Sequence, residues 1–366
     1  MKLLTKLAIL AAMLLGLPML GVWLAGLPID RYLAFPPENR YVDHAPFSPA
    51  AFVLYALFIA AVAGPLLWRG LFAARRTATR RPVGRYPWWG WAALFSAAAF
   101  WLLAWSRFSW FAPLQPHTFP PLWLSFILAV NALDVKLSGA CLMTSRPGYF
   151  LVLFPASAGF WWFFEYLNRF VQNWCYSGSQ YDAWTYFLLA TMSFSTVLPA
   201  VLSTQRLLSR VPRITAGFAD FWPVSPRRPK AAAAAVLLLA GAGLLFIGVF
   251  PNFLFPLLWV SPLLILVSLR ALAGEAHVLS AIAAGDWRPV VTAAAAALMC
   301  GFFWEMWNIF SLAKWEYAVP FVHRFQVFEM PVLGYAGYLP FGLECAAAGH
   351  LLEEVLAVFR QGDEAK

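Results

Sequence analysis

The sequence predicts an all-α polytopic membrane protein, a transmembrane helical bundle of about ten spans with a parallel internal repeat of four helices. Three observations support this fold class. First, 62% of the 366 residues are hydrophobic and only 12% are charged. Second, charge is absent from runs of about 20 residues, the length that crosses the hydrocarbon core as a helix. Third, basic residues collect between those runs, as they do in loops beside a membrane.

Ten apolar runs are long enough to be predicted spans. Each run is continuously apolar, whereas a membrane barrel would show short alternating segments. The first run begins with basic residues, as a signal peptide does, but at about 20 residues it is longer than a typical signal core, so we expect an uncleaved helix. The predicted spans are 7–27, 49–69, 88–106, 119–135, 149–170, 184–204, 231–250, 255–272, 289–312 and 332–356.

Two linkers rich in Arg and Pro divide the chain. We expect a two-helix N-terminal unit at 1–75, a first four-helix unit at 88–206 and a second one at 231–358. Charge then sets the orientation, because basic residues stay on the cytoplasmic side. With the N-terminus inside, 20 of the 26 basic residues fall inside. We therefore predict the cytoplasmic (inner) membrane with both termini cytoplasmic. The six basic residues left outside are Arg31, Arg40, Arg107, Arg169, Lys314 and Arg324.

The basic balance does not indicate a nucleic-acid partner. The net charge is +9, but the charges lie where the positive-inside rule places them. The four cysteines form no C-x-x-C pair, so neither a disulfide framework nor a zinc site is indicated. No nucleotide-binding glycine motif and no H-E-x-x-H motif occurs. We expect no metal and no cofactor, and as partner a membrane lipid or apolar small molecule; the oligomeric state stays open.

The two four-helix units share short motifs in the same order, which predicts a duplication. An even number of spans separates the units, so both have the same orientation, and their pseudo-two-fold axis runs along the membrane normal. The matched motifs are Phe119-Pro120 with Phe255-Pro256, Arg146-Pro147 with Arg288-Pro289, Glu165-x-x-Asn168 with Glu305-x-x-Asn308, Trp174-x-Tyr176 with Trp315-x-Tyr317, and Leu198-Pro199 with Leu339-Pro340.

Three acidic residues lie well inside predicted spans, where each costs at least about 2.5–3.5 kcal/mol on insertion scales. They are Glu165, Glu305 and Glu344, and they are the candidate catalytic residues. A desolvated carboxyl has a raised pKa and can serve as a general acid or base. The other interpretation is structural, since polar side chains also join helices. The candidate substrate-binding residues beside them are Asn168, Asn308, Trp304, Trp315, Tyr317, Trp174 and Tyr176.

At these motifs the chain resembles the membrane lycopene cyclase family of carotenoid biosynthesis. Trp304-Glu305, Trp315-x-Tyr317 and Leu339-Pro340-x-x-x-Glu344 follow the family's order of an acid after an aromatic, then W-x-Y, then a proline-acid helix. The resemblance implies intramembrane carboxyls that protonate an apolar polyene and collect the proton after ring closure. The resemblance covers about 55 residues of each unit. The family's adjacent acidic pair is reduced here to Glu344 alone, and Ser203 stands at the matching position of the first unit.

The sequence thus leaves three functions open. The leading one is an intramembrane aromatic and carboxyl site that acts on an apolar lipid or isoprenoid by acid–base chemistry. The second is a transporter or flippase that uses Glu residues for proton or cation coupling. The third is a non-catalytic subunit of a membrane complex.

Overall fold

A computed structural model describes most of the chain, namely residues 3–37, 40–78, 82–178 and 180–364. Within these ranges the protein is all-α, and its only sheets are two antiparallel two-stranded pairs. Four basic residues of the charge count lie outside the described residues: Lys2, Arg80, Arg81 and Lys366.

The helices follow one another along the chain with short connections. The N-terminal unit holds α1 (Leu3–Ala11), which continues through a π-helical turn (Ala12–Gly16) into α2 (Leu17–Leu24), then α3 (Asp30–Leu33) and α4 (Pro49–Arg76). The first four-helix unit holds α5 (Trp88–Trp105), α6 (Phe119–Ser138), α7 (Leu142–Ser145), α8 (Pro147–Val171), β1 (Trp174–Ser177), α9 (Ala183–Phe194) and α10 (Val197–Ser209). A linker helix, α11 (Pro212–Thr215), follows.

The second four-helix unit has a similar order. It holds α12 (Pro229–Phe246), α13 (Pro251–Leu254), a 3-10 segment (Phe255–Trp259), α14 (Ser261–Leu272), α15 (Arg288–Asn308), β2 (Lys314–Tyr317), β3 (Gln326–Val327), β4 (Met330–Pro331), a second 3-10 segment (Val332–Gly337) and α16 (Tyr338–Glu364). The strands β3 and β4 form a small hairpin, whereas β1 pairs with β2 across the two units.

The described helices include eight that are long and apolar enough to cross a membrane, or nine if the bent pair around residue 260 is one span. The tenth predicted span corresponds to α16. This helix is long enough, but Glu344, Glu353 and Glu354 all fall in its first 18 residues. The protein is therefore a helical membrane protein by length and composition, and ten crossings stay a prediction.

The break between α13 and α14 has a physical cause that the first unit lacks. The two halves of this span meet at 54°. Pro262 stands where the first unit has Phe126 in the uninterrupted helix α6. A proline inside a helix has no N–H to donate and its ring clashes with the carbonyl of the residue four positions earlier. In the first turn of α14, Pro262 is tolerated, so the helix restarts at Ser261.

Some helix contacts recur in both predicted four-helix units, whereas the internal repeat itself stays a prediction. In the first unit α5 lies along α6, and in the second α12 lies along α14. Likewise α10 contacts α8, and α16 contacts α15. The units meet where α10 packs against α15 and α16. None of the 28 residues of α4 is buried, so this helix lies at the edge of the bundle.

Contacts between connections group them at two ends of the bundle. At one end, the His44 Nε2 atom lies 3.1 Å from the Gln172 carbonyl oxygen, and the loop before α4 bonds to Phe321. At the other end, Lys6 Nζ lies 2.5 Å from Glu275 Oε2 and 3.3 Å from Glu354 Oε2. The connections that meet at each end are ones that the charge pattern assigns to the same side of the membrane. Which end faces the cytoplasm stays a prediction.

Candidate functional site

Glu165 is the first intramembrane acid, and aromatic donors surround it. It lies on α8 with only 3% of its surface exposed. One carboxyl oxygen, Oε1, accepts hydrogen bonds from Trp161 Nε1 at 3.1 Å, Trp174 Nε1 at 3.0 Å and the Tyr176 hydroxyl at 2.5 Å. Two of these donors come from β1, so the strand places them over the acid. A buried carboxyl with three donors on one oxygen is a fixed, well-stabilised acceptor.

Glu305 is the matching acid of the second unit. It lies on α15 and is fully buried. Its Oε1 atom accepts hydrogen bonds from the hydroxyls of Tyr317 and Tyr338, both at 2.7 Å. Trp315 supports this arrangement because its Nε1 donates to the Tyr317 hydroxyl at 2.9 Å. The second oxygen, Oε2, has no hydrogen-bond partner among the described residues, so this oxygen can take up a proton.

Two asparagines hold the strands at the ends of these helices. Asn168 donates to the Trp174 carbonyl at 2.8 Å and accepts from the Trp174 and Asn173 N–H groups. Asn308 does the same in the second unit: it donates to the Trp315 carbonyl at 2.8 Å and accepts from the Trp315 N–H at 2.9 Å. Both were candidate substrate-binding residues. Their amide groups are instead occupied by backbone, so they position the aromatic residues.

The strands β1 and β2 bring the two acid sites together. They pair antiparallel in a register that sets Trp174 opposite Tyr317 and Tyr176 opposite Trp315. An antiparallel pair has a local two-fold axis, and here the axis relates the W-x-Y motif of one unit to that of the other. The strand donors of Glu165, Trp174 and Tyr176, and the strand donor of Glu305, Tyr317, therefore belong to one two-stranded sheet.

A cavity of about 490 Å³ lies beside this sheet. Its wall is mostly aromatic and apolar, and it draws on all three units of the chain. The side chains that carry the argument are Trp161, Trp174 and Tyr176 from the Glu165 site, and Trp304, Tyr317 and Tyr338 from the Glu305 site. Tyr55 and Phe58 of α4 and Tyr186 of α9 close other sides. Its size and lining are typical of sites for apolar small molecules.

The structure brings only some of the predicted site residues to this wall. The aromatic candidates line the cavity: Trp174, Tyr176, Trp304, Trp315 and Tyr317. Glu165 and Asn168 line a separate small polar pocket. Glu305, Asn308 and Glu344 line neither of these two cavities in the part of the chain described. Glu305 is a candidate catalytic residue, but it reaches the cavity wall only through Tyr317 and Tyr338, which line the cavity and donate to its carboxyl.

Glu344 has a different environment from the other two acids. It lies on α16 and is 4% exposed. Its Oε1 atom accepts a hydrogen bond from the Leu263 N–H at 3.2 Å, which belongs to the first turn of α14. The first N–H groups of a helix lack partners within the helix, and a negative charge there is favoured by the helix dipole. Glu344 therefore stabilises the break that Pro262 causes; at the matching position Ser203 accepts from Asn131 at 2.9 Å.

Burial controls the protonation of the two strand tyrosines, which lie outside the spans. Desolvation raises the pKa of Tyr176 well above its usual value of 10.0, and the nearby Glu165 raises it further. Desolvation and Glu305 act in the same direction on the pKa of Tyr317. Both hydroxyls therefore keep their protons at neutral pH and act as donors to the carboxyls.

No group of three or more His, Cys, Asp or Glu side chains within the described ranges is arranged to hold a metal ion. The chain matches no protein-family model, no curated protein and no solved structure. The function is therefore argued from the geometry of the site.

One important lining residue escaped the sequence argument. Tyr338 carries no charge and belongs to no matched motif, so composition alone does not single it out. Tyr338 follows the 3-10 segment 332–337 directly, and its hydroxyl reaches Glu305 from 33 positions away in sequence. A tyrosine near the start of a predicted span is ordinarily read as an interface anchor, and only tertiary contact reveals its partner.

Proposed function

We propose that this protein binds an apolar lipid in the aromatic cavity and acts on it by acid–base chemistry through tyrosine–glutamate pairs. The observation that carries the proposal is that Tyr176, Tyr317 and Tyr338 line the cavity while their hydroxyls donate to buried carboxyls behind them. Buried carboxyls in apolar helices are costly unless they have partners or a function.

The geometry suits proton transfer between a ligand and Glu305. As the Tyr317 hydroxyl passes its proton to Glu305 Oε1, the phenolic oxygen takes a proton from the ligand; the reverse order delivers a proton to the ligand. No water is needed in this route, since the two oxygen atoms are 2.7 Å apart. Groups within this distance are placed for general acid–base catalysis.

Lipid binding is tested first. The purified protein is expected to retain an apolar molecule that mass spectrometry identifies. Ala190 lines the cavity, so Ala190→Trp fills it and should reduce retention by about tenfold. Ala92 lies exposed on α5, so Ala92→Trp is the matched control and should retain the lipid. Absence of any bound lipid, or equal retention in both variants, would contradict the proposal.

The acid–base role is tested with the molecule so identified. Glu305→Gln keeps the size and the acceptor of the side chain but removes proton exchange, so turnover should fall by about 100-fold or more while the protein stays folded. Tyr317→Phe should have a similar effect, because it interrupts the same route. If Glu305→Gln turns over substrate at the normal rate, the carboxyl is structural.

The likeness to membrane lycopene cyclases supports the same class of chemistry as a hypothesis. In this chain the residues Trp304, Glu305 and Tyr317 belong to the motifs that carry the resemblance. An isoprenoid polyene is therefore a natural first substrate to try. Fold-independent motif likeness does not establish the substrate, so the mass spectrum decides it.

A transporter or flippase remains the second candidate, and one observation favours it. Helices broken within the membrane are common at transporter binding sites, and α13 and α14 form such a break with Glu344 at the restart. Reconstituted vesicles distinguish the two functions. A transporter should move a fluorescent lipid or protons across a vesicle wall, whereas the lipid-binding enzyme should leave both gradients intact.

A further inference from the structure

A small polar pocket adjoins the aromatic cavity at β1. Its volume is about 30 Å³, which suits one compact polar group rather than a second apolar chain. Trp174 and Tyr176 line both spaces, so the two cavities share a wall. The remaining lining residues of the small pocket are Arg31, Pro37, Arg40, Glu165, Asn168, Arg169 and Gln172.

We propose that this pocket holds the anionic headgroup, of phosphate type, of an amphiphilic lipid whose apolar chain occupies the aromatic cavity. The inference deepens the proposed function and rests on it. It identifies the ligand as an amphiphile with a compact anion at one end, and the polar pocket as the site that fixes its orientation.

The distribution of positive charge supports an anion. The charge pattern leaves six basic residues outside, and Arg31, Arg40 and Arg169 are three of them. Arg31 and Arg40 come from the connection between α2 and α4, and Arg169 comes from the end of α8, so the fold brings these two segments together. Arginine is the residue best suited to bind phosphate and carboxylate groups, because its planar fork presents several donors at once.

The pocket holds unused donor capacity. Arg169 uses Nη1 to donate to the carbonyls of Tyr32 and Ala34, both at 2.8 Å. Its Nε atom is buried and has no hydrogen-bond partner among the described residues. A buried unpaired donor is costly, at about 1–3 kcal/mol. A bound anion oxygen would satisfy it. Arg31 is exposed, and its Nη2 donates to Gln172 Oε1 at 3.0 Å.

Glu165 does not use its hydrogen bonds on the arginines of this pocket. The lining contains three arginines and one carboxyl. The Glu165 Oε1 atom already accepts hydrogen bonds from Trp161, Trp174 and Tyr176, and no salt bridge joins it to Arg31 or Arg169 within the described residues. Glu165 therefore directs its hydrogen bonds to aromatic donors, and the unpaired Nε of Arg169 stays available to an anion.

The test compares two ligands that share a chain. Dodecyl phosphate and dodecanol are added to the full chain in a neutral detergent, and native mass spectrometry counts the bound molecules. The wild type should bind dodecyl phosphate at least about tenfold more tightly than dodecanol, the effect of one good charge-assisted contact. Arg31→Gln and Arg169→Gln should remove most of this preference. Arg324→Gln removes an equal charge from the same predicted side but lies outside both pockets, so it should keep the preference.

Each outcome decides a separate point. If dodecanol and dodecyl phosphate bind equally well to the wild type, the headgroup inference is wrong while the apolar site stands. If neither ligand binds, the proposed function itself fails, and the inference with it. If inorganic phosphate displaces dodecyl phosphate at equal concentration, the pocket takes a soluble anion and the lipid assignment is overturned. Arg31→Gln remains informative should Arg169→Gln fail to fold, since Arg31 is at the surface.

Discussion

Trp174 lies directly opposite Tyr317 in the β1–β2 pair. Trp174 donates to Glu165 at 3.0 Å, and Tyr317 donates to Glu305 at 2.7 Å. The neighbouring residues on paired strands contact each other across the sheet. A shift of one strand therefore displaces donors at both acids, so the two carboxyl sites are mechanically joined through four strand residues in each unit.

Removal of the Asn308 side chain should destabilise the protein. Asn308→Leu leaves the N–H and carbonyl of Trp315 without their amide partner, and each unpaired buried group costs about 1–3 kcal/mol. Thermal unfolding in detergent, followed by size-exclusion chromatography, should show a clear decrease in the midpoint. Asn308→Asp keeps only the acceptor and should fall between the wild type and Leu.

Asn252 provides the control for this series. Its Oδ1 atom lies 3.1 Å from His44 Nδ1 in a half-buried loop contact, so Asn252→Leu should lower the midpoint less. Asn168→Leu should resemble Asn308→Leu, because Asn168 makes the equivalent bonds. A stable Asn308→Leu variant would show that the strand does not depend on the amide.

Glu344 should behave as a structural residue. Glu344→Gln keeps an oxygen acceptor for the Leu263 N–H, so the protein should fold and bind lipid nearly as the wild type does. Glu344→Leu removes the acceptor and should destabilise by about 1–3 kcal/mol, measured by the same thermal assay. Loss of turnover in Glu344→Gln with normal folding would return this acid to the catalytic set.

Labelling from outside the cell tests the topology. Gln180 is exposed in the loop after β1, and Ala78 is exposed in the loop after α4. A membrane-impermeant thiol reagent should label Gln180→Cys in intact cells and Ala78→Cys only after permeabilisation, because the basic loops are expected inside. The four native cysteines are buried and should contribute little background. The opposite pattern would invert the orientation.

The reactivity of Cys175 should depend on pH. Burial raises its pKa from the ordinary 9.0, and the carboxylate of Glu316 raises it further; Glu316 lies directly opposite on β2. Because the thiolate is the reactive form, alkylation should be slow at neutral pH and should increase as the pH rises through the raised pKa. Glu316→Gln lowers that pKa and should speed alkylation at fixed pH.

The raised pKa of Cys175 also makes the stability of the folded protein depend on pH. The pKa of Cys175 is higher in the folded protein than in the unfolded protein. The stabilisation that the protonated thiol provides is therefore fully present below the unfolded-state pKa, and it is lost as the pH rises through the folded-state pKa. Identical alkylation rates at pH 7 and at pH 10 would show that access, rather than ionisation, limits the reaction.

The sequence predicted the helices well, since long apolar runs admit few other structures in lipid. It also selected Glu165 and Glu305, because a buried acid is expensive wherever it lies. It did not reveal that Tyr338 belongs to the Glu305 site or that Arg31 meets Arg169. Those contacts join distant segments, and nothing in local composition encodes them. The proline at position 262 is a visible sequence signal for the helix break. Glu344, which lies at this break, was predicted as a catalytic residue.

The contact of Lys6 with the second unit has a consequence for the order of assembly. The Lys6 ammonium group is buried, and its partner Glu275 lies 269 residues later in the chain. A lysine without a partner is unfavourable at such a position, so the first helix reaches its final place only after the loop that carries Glu275 has been synthesised and inserted. The N-terminal helix is thus synthesised early but completes its buried ion pair late.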